Sequence, residues 1–328
     1  MGRRIFPALY CVAMFVFING CAGNKIVDAE KGIRDTLEPN SGTGQLSTKP
    51  DLGWEGSADW NARRTAGDIL LFEDFEEDNY QEKWTVHWGK PVGAGTVSAP
   101  SRYVFAGKRS AYLESMQGRH DSLGAGEYVP EHPIDNAVYV RMDLRLEDGF
   151  SIGTANQLKL FGIRGGIRIE DTYGGAGSKP TGRDKFSVTL GLDNWMKLHF
   201  YIYHPDQRSG WGDSVGCSVS YFRTAGLSPG KWYCVELMLK NNIPGTKNGQ
   251  LALWLDGQLA GKIDGLRFRD EDTVKIRRIT VEDYFGGNTV RDTSPKNQRL
   301  YIDNFVVSTK PVGCFGRGTT PSGGGSNR

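Results

Sequence analysis

Short stretches in which apolar and polar residues alternate recur along the chain, and they constrain its fold more than any other feature. In NAVYVRMDLRLEDGF, residues 136–150, Val138 and Val140 alternate with Tyr139 and Arg141. Successive side chains of a β-strand point to opposite faces of the sheet, so this period of two predicts a half-buried strand. No long stretch carries the 3.6-residue period of a helix. The pattern therefore predicts an all-β domain of two stacked antiparallel sheets.

Three further segments follow the same rule and extend the predicted core. Their apolar positions are predicted to face inward: Leu158 and Leu160; Phe186, Val188 and Leu190; and Leu198, Phe200 and Ile202. Turn residues separate these segments. This succession of short strands is typical of a jelly-roll β-sandwich.

The opposite sides of these strands carry mainly cations and tyrosines. If the strands share one sheet, its outer face presents Arg141, Arg145, Lys159, Lys185, Lys197, His199, Tyr201 and Tyr203. The formal net charge of +2 selects no partner, so an anionic chain would be attracted only by such a local concentration of charge. We expect an anionic polysaccharide as partner, with sugar rings stacked on the tyrosines, and no nucleic acid.

The first twenty-one residues have the pattern of an export signal that ends in a lipidated cysteine. After MGRR, an apolar run of fourteen residues, IFPALYCVAMFVFI, leads directly to Asn-Gly-Cys21. The run is too short to span a bilayer comfortably but suits a signal peptide. Its ending resembles a bacterial lipobox, and Ala22 resembles the pattern sent to an outer membrane. We expect a signal peptide over 1–20 and a membrane anchor through lipid on Cys21; an ordinary signal with an incidental cysteine is the alternative.

Composition divides the remaining chain into three parts. Residues 21–66 are polar and dotted with Gly, Ser and Pro, which predicts a tether. Residues 67–310 hold the alternating strands and are predicted to form one domain. Residues 311–328, ending in GRGTTPSGGGSNR, are low in complexity and predicted to be disordered.

Cysteine usage permits one disulfide in the exported protein. With Cys11 removed and Cys21 lipidated, Cys217, Cys234 and Cys314 remain, and the sequence does not say which two pair. No cysteine or histidine spacing predicts a zinc site, and we expect no cofactor. The acidic segment FEDFEED forms either an exposed turn or, with the region of Asp303, a structural calcium site.

Several motifs resemble a known family. KLFGIRGG at 159–166 resembles the Lys-Leu-Pro-Gly-Leu-x-Gly-Gly stretch of polysaccharide lyase family 14, the alginate and glucuronate-polymer lyases, and YIY at 201–203 resembles its Tyr-x-Tyr strand. Residues 229–260 resemble its Gly-Lys-Trp, Asn-x-Pro-Gly and Trp-x-Asp-Gly landmarks. The likeness covers roughly 130–310. It implies a concanavalin A-like jelly-roll fold and cleavage of a uronate polymer.

The resemblance also implies roles for matching residues. Lys159 occupies the position of a catalytic lysine, and Tyr201 and Tyr203 those of two active-site tyrosines. Ser187 matches the serine of a Ser-x-Arg pair, but Thr189 stands where the family has arginine. The candidate substrate-binding residues are Ser187, Thr189, Gln157, Arg141, Lys197 and His199.

The implied chemistry is β-elimination, which must neutralise the C6 carboxylate of a uronate, remove the C5 proton and protonate the departing O4. Tyr201 is expected to be the acid, and also the base if a cation such as Lys159 lowers its pKa from about 10. Tyr203 is expected to contact the sugar or assist proton transfer. Because Thr189 carries no charge, carboxylate neutralisation falls to Lys159, Arg141, Arg164 or Lys197.

Three other functions compete with lyase activity. The first is a glycan-binding lipoprotein of the same fold that has lost catalysis, which the Thr189 substitution would explain. The second is a scaffold protein with a solvated polar face. The third, glycoside hydrolysis, requires two carboxylates about 5–10 Å apart, and Glu170, Asp171, Glu282 and Asp283 lie outside the matched landmarks.

Overall fold

The computed structural model describes residues 67–85, 93–216 and 226–314. In these ranges the chain forms β-strands, short 3-10 turns and loops, and no α-helix. The strands are β1 (Ile69–Glu73), β2 (Gly95–Ser98), β3 (Arg109–Ser115), β4 (Ser122–Leu123), β5 (Gly126–Tyr128), β6 (Ala137–Leu146), β7 (Gln157–Gly166), β8 (Lys185–Leu192), β9 (Leu198–Tyr203), β10 (Asp213–Val215), β11 (Trp232–Lys240), β12 (Gly249–Leu255), β13 (Gln258–Leu266), β14 (Lys275–Gly286) and β15 (Gln298–Ser308).

The predicted N-terminal features fall beyond this part of the chain. The signal peptide over 1–20, the lipidated Cys21 and the tether over 21–66 lie outside the described residues, as do residues 315–328 of the predicted tail. Where the structure is described, no helix is long and apolar enough to cross a membrane.

The strands form two antiparallel sheets that share one core. Sheet A runs in the order β13-β12-β11-β6-β15-β3-β2, with β1 also paired to β15 and β4 to β3. Sheet B runs in the order β10-β9-β8-β7-β14-β5. Apolar side chains from both sheets pack into a single cluster. The predicted all-β jelly-roll sandwich of two antiparallel sheets is confirmed.

Alternating apolar residues fill the space between the sheets, as predicted. Val140 on β6, Val188 on β8 and Phe200 on β9 have no exposed surface. Burial of such side chains stabilises the fold by roughly 25 cal/mol for each Å² of apolar surface removed from water. Their polar neighbours on β7, β8 and β9 are therefore directed to the outer face of sheet B.

Register shifts in β7 and β14 decide which side chains of sheet B face outward, and two of these shifts affect the site most directly. The register of β7 with β8 shifts between Lys159 and Phe161, and that of β14 with β7 shifts between Val281 and Tyr284. A bulge adds one residue to a strand and reverses the alternation beyond it. Lys159 and Arg164 lie five positions apart, so strict alternation would put them on opposite faces. With the bulge, both line the same cavity.

Strand β6 departs from the predicted polar face because it lies in sheet A and not beside β7. The side chains of Arg141 and Asp143 are fully buried and form a two-bonded ion pair with both N–O distances at 2.8 Å. Arg141 also donates to the carbonyl oxygens of Asn304 and Gly313. The prediction that Arg141 shares a face with Lys159 and binds substrate there is wrong, since alternation reveals the side of a strand and not what covers it.

The segment after β15 covers this part of sheet A. Cys234 on β11 forms a disulfide with Cys314, with the Cα atoms 5.7 Å apart. The Glu236 carboxylate accepts hydrogen bonds from the backbone N–H groups of Val312 and Gly313 at 2.7 and 2.9 Å. The disulfide pairing that the sequence left open is thereby assigned, and Cys217 lies outside the described residues.

Replacing both Cys234 and Cys314 with serine should destabilise the domain. The bond joins residues 80 positions apart, and closing a loop of that length restricts the unfolded chain, so we expect the free energy of unfolding to fall by about 2–4 kcal/mol. Urea unfolding followed by fluorescence measures the change. An unchanged midpoint would show that this bond does not contribute to stability.

Candidate active site

In sheet B the strands β9, β8, β7 and β14 lie side by side. Their registers align the residues of the outer face in three rows across the strands. The rows run Tyr203, Ser187, Arg164 and Arg278; Tyr201, Thr189, Gly162 and Thr280; and His199, Gly191, Lys159 and Tyr284. Lys159 and the two tyrosines of the YIY motif therefore converge on one face of one sheet, as the sequence predicted.

The two tyrosines of β9 form a pair. Their hydroxyl oxygens are 3.3 Å apart, and their rings meet edge to face with centroids 5.4 Å apart. Burial, followed by the hydrogen bond with Tyr203, raises the pKa of Tyr201 above its ordinary value. No cation is among the causes of this shift, so the condition under which Tyr201 would also act as the base is not met in the free protein, and Tyr201 is a protonated phenol at neutral pH.

The Lys159 ammonium lies between two aromatic rings. Its Nζ is 5.6 Å from the centroid of Tyr201 and 5.0 Å from that of Tyr284, within the range of cation–π attraction. Burial lowers the pKa of Lys159, the negative charge of Glu282 opposes this shift, and the positive charge of Arg164 adds to it. Lys159 thus releases its proton at a lower pH than an exposed lysine.

Glu282 on β14 holds the cationic side of the site together. Its Oε1 accepts hydrogen bonds from the Arg164 guanidinium and, at 2.7 Å, from the Thr280 hydroxyl. Burial alone would raise the pKa of Glu282, but the charges of Arg164 and Lys159 outweigh it and bring the pKa to about 2. Glu282 is therefore ionised at neutral pH and fixes the position of Arg164.

The first row, together with Lys159 and Tyr284 of the third, lines a cavity of about 210 Å³, and Tyr201 lies in the row beside this lining. The lining carries the cations Lys159, Arg164, Lys185 and Arg278, the carboxylates Asp171 and Glu282, the hydroxyl groups of Thr172, Ser187, Tyr203 and Tyr284, and the less polar Gly174, Gly175, Ala176, Pro180 and Phe186. Cations outnumber carboxylates, so the cavity favours an anionic ligand.

The loop at residues 173–182 contributes to this cavity through its glycines and Pro180. Tyr173 begins the loop; its ring lies 3.8 Å from the Arg278 guanidinium carbon, and its hydroxyl donates to Glu127 at 3.0 Å. Arg278 also pairs with Glu127 at 2.5 Å. Glu127 thus balances the charge of Arg278. Lys159 and Arg164, in contrast, share one carboxylate, that of Glu282.

Three predicted substrate-binding residues lie at or beyond the edge of the cavity. His199 is buried, and its Nε2 is 2.9 Å from the Gln157 side-chain oxygen, so the two side chains bond each other. Burial lowers the pKa of His199, which favours the neutral imidazole. Lys197 precedes β9 and forms a backbone bridge with Gly226. None of the three lines the cavity.

Thr189 lies in the middle row, between Tyr201 and Gly162, and does not line the cavity. It is buried and pairs with Gly162 of β7. A methyl group added to Gly162 would lie 3.3 Å from the Thr189 hydroxyl oxygen and 3.0 Å from that of Thr280, so the three residues are closely packed. A guanidinium is nevertheless present in the adjacent row, on Arg164 of β7. The sequence indicated Arg164 only as one of several candidate cations, because the bulge in β7 cannot be recognised in the sequence and it changes the face to which Arg164 points.

Glu282, Arg278 and Tyr284 were missed by sequence reasoning. All three lie on β14, where a second bulge interrupts the alternating pattern. The sequence YFGG at 284–287, which resembles a closing strand of the family, is the one signal nearby, and it implies no role for Tyr284.

The described residues offer no ligand set for the calcium site considered from sequence. In the ranges with coordinates, no group of three or more His, Cys, Asp or Glu side chains is arranged to hold a metal ion. Asp303 accepts hydrogen bonds from the Ser110 hydroxyl and from the backbone of Phe105 and Ala106, so protein donors satisfy its Oδ2.

A β-sandwich with a cationic, tyrosine-lined cavity on one sheet defines a protein suited to an anionic carbohydrate. The family description polysaccharide lyase 14 matches residues 117–305, which is more than half of the chain. The protein belongs to the polysaccharide lyase 14 family. Its class is therefore that of the polysaccharide lyases.

Solved structures of lyases share the fold. An alginate lyase from Chlorella virus aligns with a TM-score of 0.57 and 18% identity, over 74% of this chain and 100% of its own. The PL-14 alginate lyase from Aplysia kurodai aligns at 0.54 and 22%, over 66% and 86%. An endo-β-1,4-glucuronan lyase from Trichoderma reesei aligns at 0.52 and 15%, over 74% and 96%. Among curated proteins, none matches this chain.

The low pKa of Glu282 predicts a specific dependence of stability on pH. A carboxyl with a pKa of about 2 in the folded protein and 4.5 ordinarily stabilises the fold above pH 4.5, and this contribution is lost as the pH falls toward 2. The free-energy difference between wild type and Glu282→Gln should therefore shrink on acidification, by up to about 3 kcal/mol. Urea unfolding at several pH values between 6 and 3 measures it.

Glu131→Gln, at an exposed position, is the matched control for this experiment. A Glu282→Gln difference that stays constant over the same pH range would contradict the ion cluster described for the cavity.

Proposed function

We propose that the protein cleaves a uronate polymer of the alginate or glucuronan type by β-elimination at the cavity on sheet B. The observation that carries this proposal is the meeting of a protonated phenol, a lysine of lowered pKa and an arginine on one face. Groups whose pKa values are pushed in opposite directions identify the acid and the base of a proton-transfer reaction.

The reaction requires three events at one sugar. A cation neutralises the C6 carboxylate, which makes the C5 proton more acidic. A base then takes that proton, and its electron pair forms the C4–C5 double bond while the C4–O4 bond breaks. A general acid protonates the departing O4, which becomes a hydroxyl group of the released chain. Charge develops on the carboxylate during the reaction, so a fixed cation there stabilises the transition state.

Arg164 is the proposed partner of the substrate carboxylate. It lies directly across from Ser187 and in the same row as Tyr203, and Glu282 holds its guanidinium in place. A planar guanidinium can bond a carboxylate through two N–H groups. Its position supports the view that the charge absent at Thr189 is carried by the neighbouring strand.

Tyr201 is the proposed acid and Lys159 the proposed base. Tyr201 is protonated at neutral pH and so can supply a proton to O4, and Tyr203 orients its hydroxyl through the contact of 3.3 Å. The lowered pKa of Lys159 favours a neutral amine that can accept the C5 proton. Ser187 and, at the far end of the site, Gln157 are proposed to contact the polymer, with the buried His199 holding the Gln157 side chain.

A non-catalytic glycan-binding protein is the second candidate, and Thr189 is the observation that favours it. Arg164 in the adjacent row weakens that argument. The two functions differ in a direct measurement, because only a lyase generates the unsaturated product.

The purified protein should release products that absorb ultraviolet light from alginate or glucuronan, and none from a neutral polysaccharide. Tyr201→Phe should lower kcat at least 100-fold, because general acid catalysis contributes roughly 10²–10⁴-fold. Tyr112→Phe, a half-buried tyrosine of sheet A, is the matched control and should retain activity. Binding of uronate polymers without any product would establish the second candidate instead.

Lys159→Arg separates the role of a base from that of a positive charge. Arginine keeps the charge but does not lose its proton near neutral pH, so the variant should be nearly as inactive as Lys159→Ala. Substantial activity in Lys159→Arg would overturn the assignment of Lys159 as base and return it to electrostatic stabilisation.

We further propose that the enzyme works at the bacterial cell envelope, anchored in the outer membrane by lipid on Cys21. The support is the basic start, the short apolar run and the Ile-Asn-Gly-Cys ending of the first twenty-one residues. In cells fed labelled palmitate, the wild-type chain should carry the label, whereas Cys21→Ser should not and should leave the membrane fraction. Equal labelling of both chains would exclude this anchor.

A further inference from the structure

Trp211 is a large aromatic side chain that lies close to the active site and is only partly buried. Its relative exposure is 55%. It lies in the nine-residue loop at 204–212 that joins β9 to β10, and so follows Tyr203 closely in the chain. A single exposed tryptophan needs no explanation by itself, so its surroundings decide whether it has a function.

The glycines on either side of Trp211 in the chain each lie against a different part of the site. A methyl group built on Gly210 would lie 2.6 Å from the carbonyl oxygen of Gly177, in the loop at 173–182 that lines the cavity. One built on Gly212 would lie 2.9 Å from the Tyr203 ring. A methyl group built on Gly177 would lie 3.8 Å from the indole Cη2 of Trp211. Trp211 is thus located between the cavity loop and the tyrosine pair.

A buried glutamine fixes the loop that displays Trp211. Gln207 has no exposed surface, and its amide N–H group donates to the carbonyl oxygens of Ser209 at 2.8 Å and Trp211 at 3.2 Å. The backbone N–H of Trp211 donates to the Ser209 hydroxyl at 3.1 Å. At the base of the loop, His204 Nε2 is 3.0 Å from the Asp213 carboxylate. Such fixing lowers the entropic cost of presenting the indole to a ligand.

Two exposed cations lie on the same pair of loops. Arg208 precedes Trp211 by three residues, and Lys179 follows Gly177 by two. Over the residues with coordinates, neither forms an ion pair or a side-chain hydrogen bond. A flat aromatic surface with unpaired cations nearby matches a uronate, which has an apolar ring face and a carboxylate.

We propose that Trp211 is a stacking platform for a uronate ring adjacent to the one cleaved, and that Arg208 and Lys179 attract the carboxylates of that part of the polymer. This subsite rests on the proposed function for its ligand class. It adds a length requirement, because only chains long enough to extend past Tyr203 reach the indole. Loss of a central tryptophan contact typically weakens binding about tenfold or more.

The test compares KM and kcat for uronate oligosaccharides of increasing length. Trp211→Ala should raise KM about tenfold for long chains, change kcat less than twofold, and leave the shortest cleaved substrate unaffected. Trp211→Phe keeps an aromatic ring, so its KM for long chains should stay close to that of the wild type. Trp195→Ala is the matched control, since Trp195 is 72% exposed in the turn at the opposite end of β8 and β9.

The charged part of the subsite has its own readout. Arg208→Ala with Lys179→Ala should raise KM for long chains and reduce its dependence on salt, because screening acts on exposed charges. The proposal is overturned if Trp211→Ala matches wild type at every length, lowers kcat equally at every length, or behaves like Trp195→Ala.

Calorimetry with the same oligosaccharides separates this inference from the proposed function. If wild type binds them without cleavage, lyase activity fails, but a tenfold weaker affinity of Trp211→Ala still supports the platform. If wild type cleaves and Trp211→Ala binds long chains as tightly as wild type, the platform fails alone. If wild type binds no uronate chain, both fail.

Discussion

The placement of one carboxylate between two cations is the interaction on which the site depends. Lys159 and Arg164 repel each other, and burial adds to the free energy of keeping both charged. Glu282 lies against Arg164 and within electrostatic reach of Lys159, so it stabilises both. While both are protonated, one negative charge does not neutralise two positive ones, so the excess positive charge attracts an anion and also favours loss of the Lys159 proton. The protein thereby prepares the site for an acidic sugar before the sugar arrives.

The sequence predicted the fold well because alternation is a direct readout of a two-sided strand. It also predicted that Lys159, Tyr201 and Tyr203 converge, since the family motifs lie on β7 and β9, the two strands on either side of β8 in sheet B. It failed at Arg141, where the strand belongs to the other sheet and is covered by the chain's last described residues. Strand order and covering segments depend on distant parts of the chain, and a local pattern carries no information about them.

The bulges account for the other misses. On β7 and β14, one extra residue changes which side chains face the ligand, and no composition signal marks the place. The sequence therefore showed that Arg164 and Glu282 are present but not that they are neighbours in the fold. The substitution at Thr189 illustrates the same point. A residue-by-residue comparison registers a lost charge there, whereas the three-dimensional arrangement contains a guanidinium one strand away. Evaluating a family site by its charge distribution is more informative than checking each aligned position.

The central position of β15 has a consequence for how the protein is made. This last strand pairs with β1, β3 and β6, and thus joins the first described strand to the middle of sheet A. Until residues 298–308 have been synthesised, those three strands lack their shared neighbour, and one wall of the core cannot close. Contacts between such distant parts of a chain form slowly. Sheet A therefore stays incomplete until nearly all of the described chain has been synthesised.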